Sequence, residues 1–195
     1  MKKSWIVSLL IAFACGAALS VYLQNRPVPS TLHSTQLLEG ANHSAVNIFD
    51  PQDPRIRILY FGFTRCPDVC PTSLAMLSAA MKQLTPSELS HIRPIFITLD
   101  PERDKGEDTQ AYAHYFHPNL EGYSGSLDTI TSLAQQYGVI FQKTELKESA
   151  LKYTIDHSSY FYFVHPNGAI IKKVPHTMNP QPLIFAIQQI EKGNF

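Results

Sequence analysis

The sequence predicts an α/β fold in which a central mixed sheet is flanked by helices and preceded by an N-terminal membrane anchor. Three observations lead to this prediction. A long run without charge follows the first residues, short apolar and aromatic runs alternate with segments of helical periodicity, and two strand-like runs near the carboxyl end are joined by a Pro-Asn-Gly turn. With 195 residues the chain has room for one domain of ordinary size plus a short extension.

The amino-terminal segment has the pattern of a single membrane-spanning helix. Lys2 and Lys3 precede a run from Trp5 to Leu23 that carries no charge, and at about 1.5 Å per residue such a run spans a bilayer core. Positive charge before the run predicts a cytoplasmic amino end, so we expect a single-pass protein of the bacterial inner membrane whose domain faces the periplasm. The competing interpretation is a cleaved signal peptide, because small residues around Cys15 offer cleavage sites.

A polar spacer separates this segment from the folded part. Pro27 and Pro29 stand in a stretch of mixed polar residues with no sustained periodicity. We therefore assign 1–23 to the membrane anchor or signal segment, 24–40 to a linker and 41–195 to the folded domain.

Strand and helix patterns alternate through the folded domain. Strand-like runs occupy 57–64, 92–99, 158–165 and 169–174. Helical patterns occupy the segment after Cys70 up to Pro86, then 108–116, 127–137 and a last helix with Asn179 as cap and Pro180 at its first position. This order, with parallel strands first and a closing hairpin, is typical of the thioredoxin-like fold.

Charge and cysteine content exclude some functions. Lys plus Arg and Asp plus Glu are equal at 16 each, so the chain lacks the positive field on which nucleic-acid binding depends. Three cysteines are too few for a disulfide scaffold. Two of them, Cys66 and Cys70, stand four residues apart, which is more typical of redox or metal chemistry. The third, Cys15, is interpreted as a small apolar residue of the membrane segment.

The cysteine pair lies between a predicted strand and a predicted helix. Pro71 suits the first helical position, which places Cys70 at the cap and Cys66 in the preceding loop. Free backbone N–H groups and the helix dipole at this end stabilise a thiolate, which favours metal binding and disulfide exchange alike. Thioredoxin-like oxidoreductases have two residues between their cysteines, whereas this loop has three, which lets the sulfurs spread around an ion.

His157 is the candidate third ligand. It lies where the chain enters the closing hairpin, at the position where thioredoxins carry a cis-proline, and no proline occurs between Pro118 and Pro166. Two soft thiolates and one imidazole suit Cu(I), whereas zinc usually takes a fourth ligand. The remaining histidines are interpreted as surface or packing residues: His33, His43, His91, His114, His117, His165 and His176.

Three ordered motifs resemble those of the Sco/SenC family. They are CPDVCP at 66–71, LDPERD at 99–104 and DHS at 156–158. The resemblance implies a copper metallochaperone that helps to assemble the copper centre of cytochrome c oxidase, with copper held by Cys66, Cys70 and His157. It also implies a redox-active disulfide between the two cysteines and supporting roles for three acidic residues, Asp68, Asp100 and Asp156.

The implied partners follow from the same resemblance. They are the copper-accepting subunit of cytochrome c oxidase and periplasmic thiol-disulfide or copper-donor proteins. The membrane is a further expected partner, on the evidence of the charge-free amino-terminal run. The chain departs from the family pattern at Arg65, where a histidine is commoner, and residues 30–55 lack a clear glycine-centred hairpin before the first core strand.

Two other functions stay open at this point. An exported thiol-disulfide oxidoreductase would use Cys66 and Cys70 but would not need His157, so the histidine favours the copper chaperone. A peroxidase would need one low-pKa cysteine near an arginine, for which Arg65 is the candidate, but the second thiol at this short spacing argues against it.

Overall fold

The structure, a computed structural model, describes residues 37–193 together with residues 13, 15, 16 and 20, which are helical. The chain forms two compact units, residues 1–34 and residues 35–195. Within the described part of the chain, no helix combines the length and the apolar character that a membrane crossing requires. Apart from those four positions, the predicted anchor at 1–23 lies outside the described residues.

The second unit contains nine strands, five α-helices and one short 3-10 helix (Ala41–His43) within residues 37–193. The strands are β1 (Leu38–Glu39), β2 (Ala45–Val46), β3 (Ile56–Gly62), β4 (Ile92–Thr98), β5 (Glu121–Tyr123), β6 (Phe141–Glu145), β7 (Tyr153–His157), β8 (Tyr160–Val164) and β9 (Ile170–Pro175). The helices are α1 (Val69–Met81), α2 (Pro86–Ser90), α3 (Gly106–Phe116), α4 (Leu127–Tyr137) and α5 (Gln181–Glu191).

A five-stranded mixed sheet with the order β5-β4-β3-β8-β9 forms the centre of this unit. Strands β3, β4 and β5 are parallel to one another, whereas β8 and β9 run antiparallel to their neighbours. The central strands β3 and β4 are buried along almost their whole length, as expected of strands covered on both faces. The predicted α/β class with a mixed central sheet is therefore confirmed.

One charged side chain is fully buried at the start of the sheet. Arg57 in β3 donates to the backbone carbonyls of Ile48 at 2.8 Å, Asp53 at 2.7 Å and Asp50 at 2.9 Å. A buried guanidinium is tolerated only when its donors are satisfied, and these carbonyls satisfy them. Arg57 thus closes the loop that precedes β3.

The structure contains elements that the periodicity did not predict. Pro86 was expected to end a helix, but it occupies the first position of α2, which Thr85 and Glu88 cap reciprocally. The β1–β2 ribbon lies within 30–55, where no hairpin was expected. The β6–β7 ribbon also lacked the alternation of apolar and polar residues that predicts a strand, because β6 is mostly exposed and polar.

Helix α5 begins one residue later than predicted. Pro180 is its cap rather than its first residue, and Asn179 accepts a hydrogen bond from the Gln181 N–H at 2.8 Å. The carboxamide therefore still satisfies a free helix donor. Helix α4 has the predicted bounds, and Gly138 after it adopts a left-handed conformation with φ of 66° that ends the helix.

Candidate metal centre

The cysteine loop connects the carboxyl end of β3 to α1. The predicted helix start at Pro71 is wrong: α1 begins at Val69 with Asp68 as its cap. The first helical bond runs from the Thr72 N–H to the Asp68 carbonyl at 3.2 Å. Pro71 fits inside the first turn because the N–H groups there have no intrahelical partner to lose. Cys70 is therefore a residue of the first turn and not its cap.

The two sulfurs lie in different surroundings. Cys66 is half-buried, and its Sγ accepts a hydrogen bond from the Cys70 backbone N–H at 3.4 Å. This N–H is one of the free donors at the start of the helix. Cys66 therefore makes the contact with a helix amino end that was predicted to stabilise its thiolate. Cys70 is fully buried in the core. A Cβ added at Gly62 would lie 2.8 Å from Cys70 Sγ, so the glycine makes room for this sulfur.

His157 faces the sulfurs from the far side of the cleft. It ends β7 in the separate β6–β7 ribbon, not in the loop before the closing hairpin as predicted. Its Nδ1 donates to the Ser158 carbonyl at 3.1 Å, and its Nε2 lies 3.4 Å from Cys70 Sγ. A hydrogen bond at Nδ1 leaves the lone pair on Nε2 free for a metal. Tyr60 and Phe63 pack edge-on against the imidazole.

The three side chains form a set of donors of the right size for one ion. The two sulfurs and one nitrogen of Cys66, Cys70 and His157 lie within 4.8 Å of one another, beside a cleft of about 240 Å³. Among the described residues, this is the one group of at least three His, Cys, Asp or Glu side chains so placed. Two soft sulfurs with one imidazole fit Cu(I), which accepts a low coordination number.

The two thiols differ strongly in acidity. The hydrogen bond from the Cys70 thiol lowers the pKa of Cys66 to about 4, although burial opposes the shift, and the nearby His157 side chain and the backbone of Asp68 and Cys70 contribute in the same direction. The pKa of Cys70 is raised, first because its thiol donates to Cys66 and then because of burial and the charge on Cys66. The first proton to leave the reduced pair is therefore that of Cys66.

The three predicted supporting acids lie around the site without joining the donor set. Asp68 is exposed at the rim of the cleft. Asp156 points away from His157, since successive strand residues alternate between faces, and it accepts a hydrogen bond from Thr144 at 2.5 Å. Asp100 is 3% exposed, and its carboxylate pairs with Arg103 instead of facing the sulfurs.

Asp104 is a positioning residue that sequence reasoning did not single out. It is 1% exposed and accepts hydrogen bonds from the Thr64 N–H at 2.8 Å, the Thr64 hydroxyl at 2.6 Å and the Thr98 hydroxyl at 2.7 Å. These bonds fix the start of the cysteine loop against the end of β4. The sequence signal for this residue was its place as the last residue of the LDPERD motif, which begins directly after the buried strand β4. Its role depends on contacts across 40 residues, which periodicity does not report.

Several of the remaining histidines have partners outside the donor set. His43 pairs with Glu39, His91 with Glu191, His114 with Gln110 and His176 with Ser73. These contacts agree with the interpretation of the four as surface or packing residues.

Two solved structures with copper bound resemble this chain. Arabidopsis thaliana ScoI matches with a TM-score of 0.72 and 32% identity, covering 83% of this chain and 99% of that one. Bradyrhizobium japonicum ScoI matches with a TM-score of 0.67 and 29% identity, covering 78% and 95% respectively.

The sequence comparisons point to the same family. Protein SCO1 homolog 1, mitochondrial, of Arabidopsis thaliana is 42% identical over 115 residues, which is 59% of this chain and only 34% of that relative's length. The SCO1/SenC family model matches residues 45–192, which include all three donors. The chain belongs to the SCO1/SenC family.

Proposed function

We propose that this protein is a copper metallochaperone that holds one Cu(I) between Cys66, Cys70 and His157 and helps to assemble the copper centre of cytochrome c oxidase. The observation that carries the proposal is the convergence of two sulfurs and one imidazole nitrogen within 4.8 Å. Similarity to two Sco structures with copper bound supports the choice of metal. The ion is cargo, so the copper-accepting subunit of the oxidase is the proposed receiver.

The depth of the donors suits transfer of an ion. Cys66 and His157 are half-buried beside an open cleft, whereas Cys70 lies in the core. An ion with three ligands keeps an open side toward the cleft, through which a ligand of the receiving protein can approach. The ion can then leave by stepwise exchange of ligands, starting with those at the surface.

Disulfide exchange is the second candidate function, and the acidity difference between the thiols favours it. The Cys66 thiolate would attack a partner disulfide and release one partner thiolate. Cys70 would then lose its proton and attack Cys66 in the mixed disulfide, leaving the partner reduced and this pair oxidised. Periplasmic thiol-disulfide proteins would return the pair to the dithiol state. This activity does not need His157, so it can coexist with copper binding.

Copper loading is expected to require the reduced pair, because the same sulfurs cannot ligate Cu(I) and be joined in a disulfide. Reduced protein should bind one Cu(I) per chain and release a proton as the buried Cys70 ionises, whereas oxidised protein should bind weakly through His157 alone. The measurement is a thiol count and a copper count on both forms under anaerobic conditions, with reductant added back to the oxidised form. Equal copper affinity in the two states would show that the cysteines are not the ligands.

We further propose that residues 1–23 anchor the protein in the bacterial inner membrane with the domain in the periplasm. The support is the charge-free run after Lys2 and Lys3. A reporter fused after Phe195 should be active only when exported and should stay with the membrane fraction after a salt wash. A matched fusion that begins at residue 24 should lose both properties. Recovery of the mature full-length fusion in the soluble fraction would instead show cleavage.

A further inference from the structure

The ribbon that carries His157 stands apart from the central sheet. Strand β7 pairs with β6 alone, and neither strand belongs to the five-stranded sheet that leads into the cysteine loop. To share an ion with the sulfurs, the imidazole of His157 must nevertheless be placed within about 0.5 Å of its correct position. Something other than sheet hydrogen bonding must therefore hold the ribbon in place.

The face of β7 that presents His157 also carries Tyr153 and Ile155, because residues two and four apart share a face. Ile155 is buried and gives this face an apolar contact. Tyr153 lies at the other end of the strand, about 13 Å from His157 at the usual rise per residue. A contact at Tyr153 can thus fix the direction of the whole strand.

Tyr153 is held by a polar pocket on the turn after β4. Its hydroxyl donates to Asp100 Oδ1 at 2.8 Å. The Arg103 guanidinium and the Lys143 ammonium lie over its ring, 3.6 and 3.9 Å from the centroid. Burial, followed by the hydrogen bond to Asp100, raises the pKa of Tyr153 to about 12, so the phenol keeps the proton that it donates.

Arg103 adds a second attachment to the same ribbon. Its side chain is 12% exposed, its Nε pairs with Asp100, and its Nη1 donates to the backbone carbonyls of Leu151 at 3.1 Å and Tyr153 at 3.2 Å. A charge pair this deep must stay paired, because removing either partner leaves an unsatisfied buried charge. Asp100 and Arg103 therefore form a rigid receptor for the tyrosine.

The same turn also holds the other half of the site. Asp104 lies four residues after Asp100. Its carboxylate accepts hydrogen bonds from the backbone N–H and the hydroxyl of Thr64, at the start of the cysteine loop. One short segment thus contacts both the strand that carries the imidazole and the loop that carries the sulfurs. We propose that Tyr153, held by Asp100 and Arg103, is a positioning residue that sets His157 against the cysteine pair.

This inference rests on the proposed copper function. Its test is the Tyr153→Phe variant, which removes only the hydroxyl and keeps the ring beside its two cations. The full chain in detergent should bind Cu(I) about 10-fold more weakly in competition with a Cu(I) chelator, because partners that orient a ligand are typically worth roughly 10- to 100-fold in metal affinity. Tyr115→Phe is the matched control, since Tyr115 is 83% exposed on α3. It should leave affinity unchanged.

A double-mutant cycle separates positioning of His157 from a general structural effect. In a His157→Ala background, adding Tyr153→Phe should change Cu(I) affinity by less than about 2-fold, because the group that it positions is gone. A full 10-fold loss in that background would overturn the inference and assign the effect to the cysteines. Equal Cu(I) affinity of Tyr153→Phe and wild type would overturn it too.

Hydrogen exchange of the metal-free protein tests the contact without copper. In Tyr153→Phe, the amides of β6 and β7 should exchange faster, while those of α1 should keep the wild-type rate. Unchanged exchange in the ribbon would contradict the inference even if copper binding changed. If His157→Ala alone leaves copper binding intact, the three-ligand proposal fails, whereas the exchange result still decides whether Tyr153 holds the ribbon.

Discussion

Replacing any one of the three donors is expected to abolish tight one-to-one binding of Cu(I). In Cys66→Ser and Cys70→Ser a soft thiolate becomes a hydroxyl that does not ionise, and His157→Ala removes the only nitrogen donor of the set. The loss should exceed about 100-fold in affinity, since even partners that merely orient a ligand contribute roughly 10- to 100-fold. The measurement is copper per chain after anaerobic reconstitution, followed by competition with a Cu(I) chelator.

The structure distinguishes the variants by their effect on folding. His157 is half-buried, so its replacement should leave the free energy of unfolding nearly unchanged. Cys66→Ser should lower the free energy of unfolding of the reduced protein above about pH 4, because it removes the thiolate that favours the folded state. Cys70 is fully buried, and a serine hydroxyl there needs a partner, for which His157 Nε2 lies close to the present sulfur. We therefore expect Cys70→Ser to fold, with a free energy of unfolding lower by on the order of 1 kcal/mol.

His91→Ala is the control for histidine replacement. His91 contacts Glu191 at the surface, away from the cysteines, so copper binding should match the wild type. Full copper retention by His157→Ala would eliminate the three-ligand model. The cysteine pair would then be better explained as a thiol-disulfide oxidoreductase.

Alkylation of the reduced, metal-free protein is expected to modify Cys66 first, with a rate that depends on pH around a midpoint near 4. An ordinary thiol titrates near about 8.5, so the midpoint should shift by several pH units. Cys70 should react slowly throughout, because it is buried and its pKa is raised. The absolute rate is not the criterion, since nucleophilicity falls as thiol pKa falls.

Iodoacetamide at limiting concentration, followed by mass mapping of both cysteines from pH 3 to 9, measures this profile. The His157→Ala variant should raise the midpoint, because the His157 side chain contributes to the lowering of the Cys66 pKa. A wild-type midpoint near 8.5 would contradict the hydrogen bonding of Cys66 in the structure, above all the bond from the Cys70 thiol.

The same shift makes the stability of the reduced protein depend on pH. The folded pKa of Cys66, about 4, lies below that of an unfolded thiol, about 8.5. Ionised Cys66 therefore favours the folded state, and its contribution grows as pH rises from about 4 to 8.5 and disappears as pH falls through about 4. Cys70 acts in the opposite sense, because its raised pKa makes folding less favourable above about 8.5.

The sequence by itself determined the class of fold and the identity of the donors. Buried strands such as β3 and β4 are continuous apolar runs, and α4 carries both an apolar face and a left-handed glycine after it, so local pattern was sufficient for them. The three donors could be identified from the sequence because a cysteine pair at this spacing and a histidine in the DHS motif have few structural roles. They are Cys66, Cys70 and His157.

Only the tertiary structure decided how the donors are held and how they differ. The β6–β7 ribbon has a polar, exposed first strand, and its position depends on Tyr153 reaching Asp100 across 53 residues. The unequal acidity of the two thiols likewise follows first from the hydrogen bond that the Cys70 thiol donates to Cys66, and then from the deeper burial of Cys70. Hydrogen bonds and desolvation depend on distances between segments remote in the chain, and residue periodicity carries no information about those distances.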